Sequence, residues 1–474
     1  MSPTDSASAR RAVLTIAMLG GFIGYLDTTI VNLAFPAISA SFPGVSRATL
    51  LWVLDAYFIV GAAFLVPAGY LADRMGHKRI FVVGMAGFAL ASAFCAAAPT
   101  PPVLIAARVL QALAASTIGP ASLALLLAHH RTTAERTRAV ALWSVGAGAA
   151  AAIGPTLGGA FVSVGSWRWI FLINVPMGLL TLWMARRVPE SRKPAAPMPD
   201  LLGGVLASLG IGAVAFSIVE GARWGWGASS VLAAVVGGVV ALAAVVARSA
   251  RHPAPIVDFE ILRDRKVTVA NLASVAFGIS FYGLMLGNVL FLTGVWDYSV
   301  LSTGLAMTPG AITGIVVAIV SARLSESYGH WAVACAGLLL MAAGTVWYLT
   351  QAQSEPSYLT GFLPANLMTG TGIGMAGPML GSAAVTTLPG NRFGIGSAIN
   401  GTARQLGGAL GISIVAALLS DENSHDRLPY AEVWAFGGLT ALVTALAVLA
   451  AIVVWGPQPL EEESGRYRPE RSVA

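Results

Sequence analysis

The chain has 474 residues, of which 56% are hydrophobic and only 11% charged, with a mean hydropathy of +0.75. Soluble domains carry about a quarter charged residues, so this composition excludes a water-soluble enzyme or binding module. The net charge of +6 does not imply a nucleic-acid partner, because the arginines fall in short turns between apolar runs rather than on one basic face.

In chain order the apolar runs predict spans near 12-35, 49-71, 80-98, 102-127, 138-162, 169-186, 200-220, 229-247, 267-293, 303-322, 331-350, 358-385, 394-419 and 431-455. That is about 14 transmembrane helices of about 20 residues each. The runs are continuous and lack strand-like alternation, so each must satisfy its backbone groups internally as an α-helix and the fold class is all-α polytopic. Arg10 and Arg11 before the first run resemble the start of a signal peptide. The run is too long and no small-residue cleavage site follows, so an uncleaved first span is expected.

An even number of spans puts both termini on one side. Turns on that side hold Arg74, Lys78 and Arg79; Arg131, Arg136 and Arg138; Arg186, Arg187, Arg192 and Lys193; Arg248, Arg251, Arg263, Arg265 and Lys266; Arg323; and Arg392. The opposite turns hold Arg47, Arg168, Arg223 and Arg427, with the acidic turn Asp421 to Asp426. By the positive-inside rule both termini are expected to be cytoplasmic, in a multi-pass protein of the cell membrane whose immediate partner is the lipid bilayer.

Pro-containing connections near 187-199 and 248-266 bracket two helices poor in ionisable residues. The expected organisation is an N-terminal six-helix bundle over 1-190, a two-helix insertion with cytoplasmic linkers over 191-262, and a C-terminal six-helix bundle with a cytoplasmic tail over 263-474. A weak repeat supports two related halves: Leu71, Asp73, Gly76 and His77 recur in order and spacing as Leu324, Glu326, Gly329 and His330.

No lysine is followed by Ser or Thr, so the chain has no P-loop, and neither ATP nor another cofactor is expected. Gly372, Gly374 and Gly377 spell GxGxxG inside an apolar span, where helix packing is the reading rather than dinucleotide binding. Cys95 and Cys335 are far apart in separate spans and offer neither a disulfide framework nor a metal site. His129 and His130 sit at a span end as interfacial residues.

Ionisable residues inside spans are costly, at about 2.5 to 3.5 kcal/mol each on insertion scales, and therefore informative. The principal cases are Asp27, Asp55, Arg108 and Arg404. At about 1.5 Å per residue, Asp27 lies about 12 Å from the outer end of its helix and Asp55 and Arg108 about 9 Å from theirs, which places all three in one layer. Two carboxylates near one guanidinium would suit proton exchange, and a static ion pair orienting helices remains the alternative. Gln111 lies one turn from Arg108, and Asn400 one turn from Arg404, so each pair shares a helix face. Gln111, Asn400 and Arg404 are candidates for a substrate cavity, with Arg404 contacting an anionic or polar substrate or else holding a helix end. Tyr25, Tyr57 and Tyr282 could line that cavity or simply pack.

The turn from Gly69 to Arg79 combines helix-packing and turn glycines, Gly69 and Gly76, with the basic residues Arg74, Lys78 and Arg79 and one acid, Asp73. Asp73 is a candidate latch that breaks when the halves rock. The fifth span carries Gly154, Gly158 and Gly159 around Pro155, a small-residue face with a potential kink.

These segments resemble the major facilitator superfamily, specifically its fourteen-span drug:proton antiporter family. Leu26 to Pro36 resembles that family's first-span motif, Gly69 to Arg79 the superfamily loop motif, Arg108 to Gln111 the fourth-span motif, and Gly154 to Gly159 the fifth-span antiporter motif. Trp167 to Gly178 and Arg404 to Gly408 also resemble segments of fourteen-span members. The resemblance implies two six-helix bundles plus two inserted helices, and proton-driven export of small amphipathic compounds such as antibiotics, by alternating access in a monomer. It gives Asp27 and Arg108 to proton coupling, Asp73 to the latch, and Gly154 with Pro155 to the antiporter contact. Two positions depart from the pattern: Ala112 stands where the fourth-span motif has Gly, and His77 where the loop has a basic residue. A symporter importing a nutrient is the alternative on the same fold.

Overall fold

Backbone N–H and C=O groups without water must bond within their own segment, and the regular structure of the described residues is helical throughout. The computed structural model describes residues 7–130, 133–190, 198–388, 392–419 and 427–455. The turn Asp421 to Asp426, Arg131, Arg192, Lys193 and the C-terminal tail lie outside them.

The helices are α1 Ala7–Ala40, α2 Arg47–Met75, α3 His77–Ala97, α4 Pro101–His129, α5 Thr133–Val164, α6 Trp169–Leu172, α7 Asn174–Ala185, α8 Leu201–Trp224, α9 Ser229–Ser249, α10 Phe259–Leu262, α11 Arg265–Gly294, α12 Val300–Tyr328, α13 His330–Gln351, α14 Leu363–Ala383, α15 Phe393–Leu418 and α16 Leu428–Trp455. Ten of them are long and apolar enough to cross a membrane. The span expected near 169-186 is two pieces, α6 and α7, broken at Ile173, and the span expected near 358-385 begins with a π-helical turn over Tyr358–Phe362.

Sequence-adjacent starts and stops follow local chemistry. Ser46 accepts from the Thr49 amide to cap α2, and Asp200 from the Gly203 amide to cap α8. Gly76 (φ +112°) and Gly329 (φ +79°) each end one helix and begin the next, so the two halves of the sequence repeat make the same turn at the same junction.

Helices α1 to α7 pack with one another, as do α11 to α16, while α8 pairs with α9 and leans on α2 and α15. Close approach comes from glycine. A Cβ on Gly407 would stand 2.9 Å from the Gly278 Cα across the α11–α15 contact, and one on Gly372 would stand 2.6 Å from Met341 Cγ between α14 and α13. The glycines of the GxGxxG string are thus packing positions, with Gly374 set against Gly314 of α12.

The two groups of helices meet along two seams, α5 against α12 and α2 against α15. A Cβ on Gly159 would stand 2.6 Å from the Leu301 Cα, Thr156 and Thr308 hydroxyls lie 2.7 Å apart, and Gly304 rests on the backbone of Pro155. A cavity of about 180 Å³ lies between the seams, bounded by α1, α2, α4, α5, α11 and α15, and runs from mid-helix toward the face that carries the Gly76 turn.

Gly374→Val should lower stability by about 1 to 3 kcal/mol, because any side chain there meets the Gly314 backbone, which has no flexible end to move aside. Thermal unfolding of the detergent-solubilised chain, read beside the equally apolar but lipid-facing Val316→Ala, measures it; Val316 is 55% exposed.

Candidate functional site

Helix α1 brings Asp27 to the interior of the first helix group, fully buried. Next to it, Thr28 and Thr29 return their hydroxyls to carbonyls of their own helix, which leaves the carboxylate dependent on other helices for donors. Helix α4 supplies two of them from one face. Arg108 Nη1 lies 2.6 Å from Asp27 Oδ2, and Gln111 Nε2 donates to Asp27 Oδ1 at 2.9 Å. The break at Ile173 starts α7 on Asn174, whose Nδ2 donates to Asp27 Oδ1 at 3.1 Å. Ser92 of α3 closes the group by accepting from Gln111 Nε2 at 2.8 Å.

Arg108 is equally well held. Its Nε donates to the Val53 carbonyl at 3.0 Å and its Nη1 also to Gln111 Oε1 at 2.6 Å, while its guanidinium lies 4.1 Å from the centroid of the Tyr57 ring. A buried ion pair of this kind tolerates membrane interior only because further hydrogen bonds occupy its remaining donors and acceptors. Tyr57 also lines the cavity, so its ring stands between that space and the Asp27–Arg108 pair.

Asp55 corrects the expected arrangement of two carboxylates around one guanidinium. It is buried, but it turns to the α2–α15 seam, where Ser413 Oγ donates to its Oδ2 at 3.1 Å and Oδ1 has no hydrogen-bond partner among the described residues. The reason is helical rotation: at about 100° per residue, Asp55 and Tyr57 point to nearly opposite sides of α2, and Tyr57 is the one beneath Arg108.

Two of the three cavity candidates also belong elsewhere. Gln111 is wholly buried inside the Asp27 cluster, and Asn400 donates to Ser274 Oγ at 2.7 Å and to Asn271 Oδ1 at 3.3 Å within the α11–α15 contact. One-turn spacing put each on the face of its arginine, yet each amide is taken up by polar groups of neighbouring helices, Asp27 and Ser92 for Gln111 and Asn271 and Ser274 for Asn400, before it can reach the cavity. Arg404 does line the cavity, with Tyr25, Tyr57, Tyr282, Trp143 and Gln405 around it. Its Nη2 donates to the Tyr25 hydroxyl at 2.7 Å, joining α15 to α1.

At the Gly76 turn, His77 Nε2 lies 2.8 Å from Asp73 Oδ1. The amides that open α3 are taken by a residue the sequence did not flag: Glu190, beyond α7, accepts from the Lys78 and Arg79 amides at 2.9 and 3.0 Å. A carboxylate at a helix N-terminus is stabilised by the exposed amides and the helix dipole. A Cβ on Gly76 would fall 2.7 Å from the Glu190 carboxyl carbon, so glycine there serves the cap as well as the turn. Gly69 faces Pro120, at 3.8 Å from its Cβ position. In α5, Gly158 packs on Ile30 and Gly154 on Thr29 of α1, while Gly159 faces α12.

Residues 17–412 match the family model of the Major Facilitator Superfamily. The chain belongs to that superfamily. It is 32% identical over 437 residues to the methylenomycin A resistance protein of Streptomyces coelicolor, covering 90% of each chain. To the puromycin resistance protein pur8 of Streptomyces alboniger it is 32% identical, covering 93% of this chain and 90% of that one. To the cephamycin export protein CmcT of Amycolatopsis lactamdurans it is 30% identical, covering 95% and 94%. Its fold is similar to that of a D-xylose-proton symporter, with TM-score 0.67 at 16% identity over 93% of this chain and 97% of that one. A peptide-transporter-family (POT) structure with 5-aminolevulinic acid gives TM-score 0.66 at 14% identity, over 92% and 95%. Membership makes this facilitator a multi-pass membrane transporter that carries small solutes, not an enzyme.

The two buried aspartates should respond differently to loss of charge. Asp27→Asn leaves Arg108 as an uncompensated buried cation and should cost about 3 to 5 kcal/mol of stability. Asp55→Asn keeps an oxygen for Ser413 and should change stability by less than about 1 kcal/mol. Thermal unfolding of the two variants in the same detergent reads the difference, and equal losses would place Asp55 in the Arg108 cluster after all.

Proposed function

We propose that the chain is a proton-coupled antiporter that exports small organic compounds of the antibiotic class from the cell. The observation that carries this reading is the Asp27–Arg108 cluster, an ionisable pair fully buried at membrane depth beside, but screened from, a central cavity. The names of the relatives, resistance and export proteins for methylenomycin, puromycin and cephamycin, support the direction of transport.

In this reading the membrane is crossed by fourteen spans: α1 to α5, α6 with α7, α8, α9, and α11 to α16. Both termini are cytoplasmic, which the basic residues around the Gly76 turn support. Residues 1-190 and 263-474 form the two moving bundles, and 191-262 an insertion that rides on the α2–α15 seam. The cavity then faces the cytoplasm while Gly159, Gly304 and the Thr156–Thr308 bond close the outer side. Rocking about the Gly154–Pro155 segment opens that side and exposes Asp55, whose unpartnered oxygen meets water there. Asp27 takes the coupling proton, since protonation releases Arg108 from its counter-ion, and the proton gradient supplies the energy. Asp73, with Gly69, Arg74, Gly76, Lys78 and Arg79, latches the cytoplasmic face through the His77 and Glu190 contacts.

Expressed in an export-deficient bacterial host, the chain should raise tolerance to at least one compound of a toxic panel. In vesicles with an imposed proton gradient, Asp27→Asn should reduce uphill movement of that compound to the level of vesicles without the chain, while binding persists. Gradient-driven uptake of a nutrient, with no protection by any compound, would favour the symporter instead.

A further inference from the structure

The described residues of the cavity wall carry charge of one sign only. Among the described residues Arg404 is the single charged one lining it, and the rest are tyrosines, Trp143, small or apolar residues, short hydroxyls and Gln405. Among the described residues no carboxylate lies within ion-pair distance of Arg404, in contrast to Arg108, which has Asp27 at 2.6 Å. Its hydrogen-bond acceptor is a neutral phenol, Tyr25, at 2.7 Å. A guanidinium offers five N–H donors in a planar fork matched to a carboxylate or sulfonate, so the Tyr25 bond uses a small part of its capacity. Beside it, Gln405 presents a buried Oε1 that has no hydrogen-bond partner among the described residues.

The same surroundings disfavour cations. The two buried carboxylates of the first helix group, Asp27 and Asp55, are turned into the α4 cluster and the α15 seam, and neither lines the cavity. A cationic ligand would meet Arg404 with no negative group among the described lining residues to offset the repulsion.

We propose that the cargo is an organic anion: a small, partly aromatic compound whose acid group is ionised at neutral pH and pairs with Arg404, its apolar body lying against Tyr25, Tyr57, Tyr282 and Trp143. The proposal rests on the efflux reading and names the substrate class of that site. Pairing also has a mechanical consequence. The Arg404–Tyr25 bond ties α15 to α1 across the cavity, and an acid that takes the guanidinium fork competes with the phenol for it. Cargo binding thereby loosens a contact between the two helix groups at the place where they must separate or close.

Matched probes with one fluorescent body test the assignment on the purified full chain: dansylglycine, its neutral amide, and the cationic dansylcadaverine. Wild type should bind the acid about tenfold tighter than the amide, the value of one charge-assisted pair, and the amine more weakly than either. Arg404→Gln should abolish the preference for acid over amide, whereas Arg404→Lys should retain part of it, as a charge without the fork. Tyr25→Phe removes the competing phenol and should tighten binding of the acid. Equal binding of acid and amine by wild type would overturn the proposal, as would an Arg404→Gln variant that keeps the preference; the wild-type ranking decides even where Arg404→Gln does not fold. Export of cationic compounds that depends on Asp27 would overturn the anionic cargo and keep the efflux reading. Acid-selective binding without any proton-driven export would do the reverse.

Discussion

Hydrocarbon donates and accepts no hydrogen bonds, and the features that matter in this chain follow from that constraint. It makes the regular structure helical, because a helix alone closes its backbone bonds within one segment. It also removes the hydrophobic driving force between helices, so contact has to come from close approach. Gly278 with Gly407, Gly314 with Gly374, and Gly337 with Gly372 bring backbones together where larger residues would hold them apart. Most of all, it forces polar side chains into groups that satisfy one another. Asp27, Arg108, Gln111, Asn174 and Ser92 come from four helices, and the ion pair at their centre would be costly without the amides and hydroxyl around it.

Much of this was legible in the sequence because the bilayer writes itself into composition. Apolar runs, Arg-rich turns, the glycine string in α14 and the echo of Gly76 at Gly329 each come from a local requirement that a single stretch of chain reveals. Asp27 and Arg108 stood out for the same reason: an ionisable residue within a span must have a compensating partner. What depth along a helix does not give is rotation about its axis. Asp55 shares a layer with Arg108 but faces Ser413, because two residues of separation from Tyr57 is more than half a turn. Asn174, Ser92 and Ser413 were silent because a short neutral side chain in a helix usually returns to its own backbone. Glu190 was silent because one acid in a polar connection carries no pattern, and its task depends on where the end of α7 lies relative to α3.

The separation of the two charged places shapes how coupling can work. Asp27 and Arg108 lie behind the Tyr57 ring, whereas Arg404 opens on the cavity, so in the proposed scheme cargo and proton do not meet at one carboxylate. That scheme therefore does not use direct displacement of one by the other. What the two places share is α1. Tyr25 and Asp27 are two residues apart on it, on nearly opposite sides, one bonded to Arg404 of α15 and the other to Arg108 of α4. A change of charge at Asp27 alters what holds α1 to the first helix group, and a ligand at Arg404 alters what holds it to the second. In the proposed scheme the free energy of the proton reaches the cargo through the position of this one helix, with each event weakening one of its two anchors.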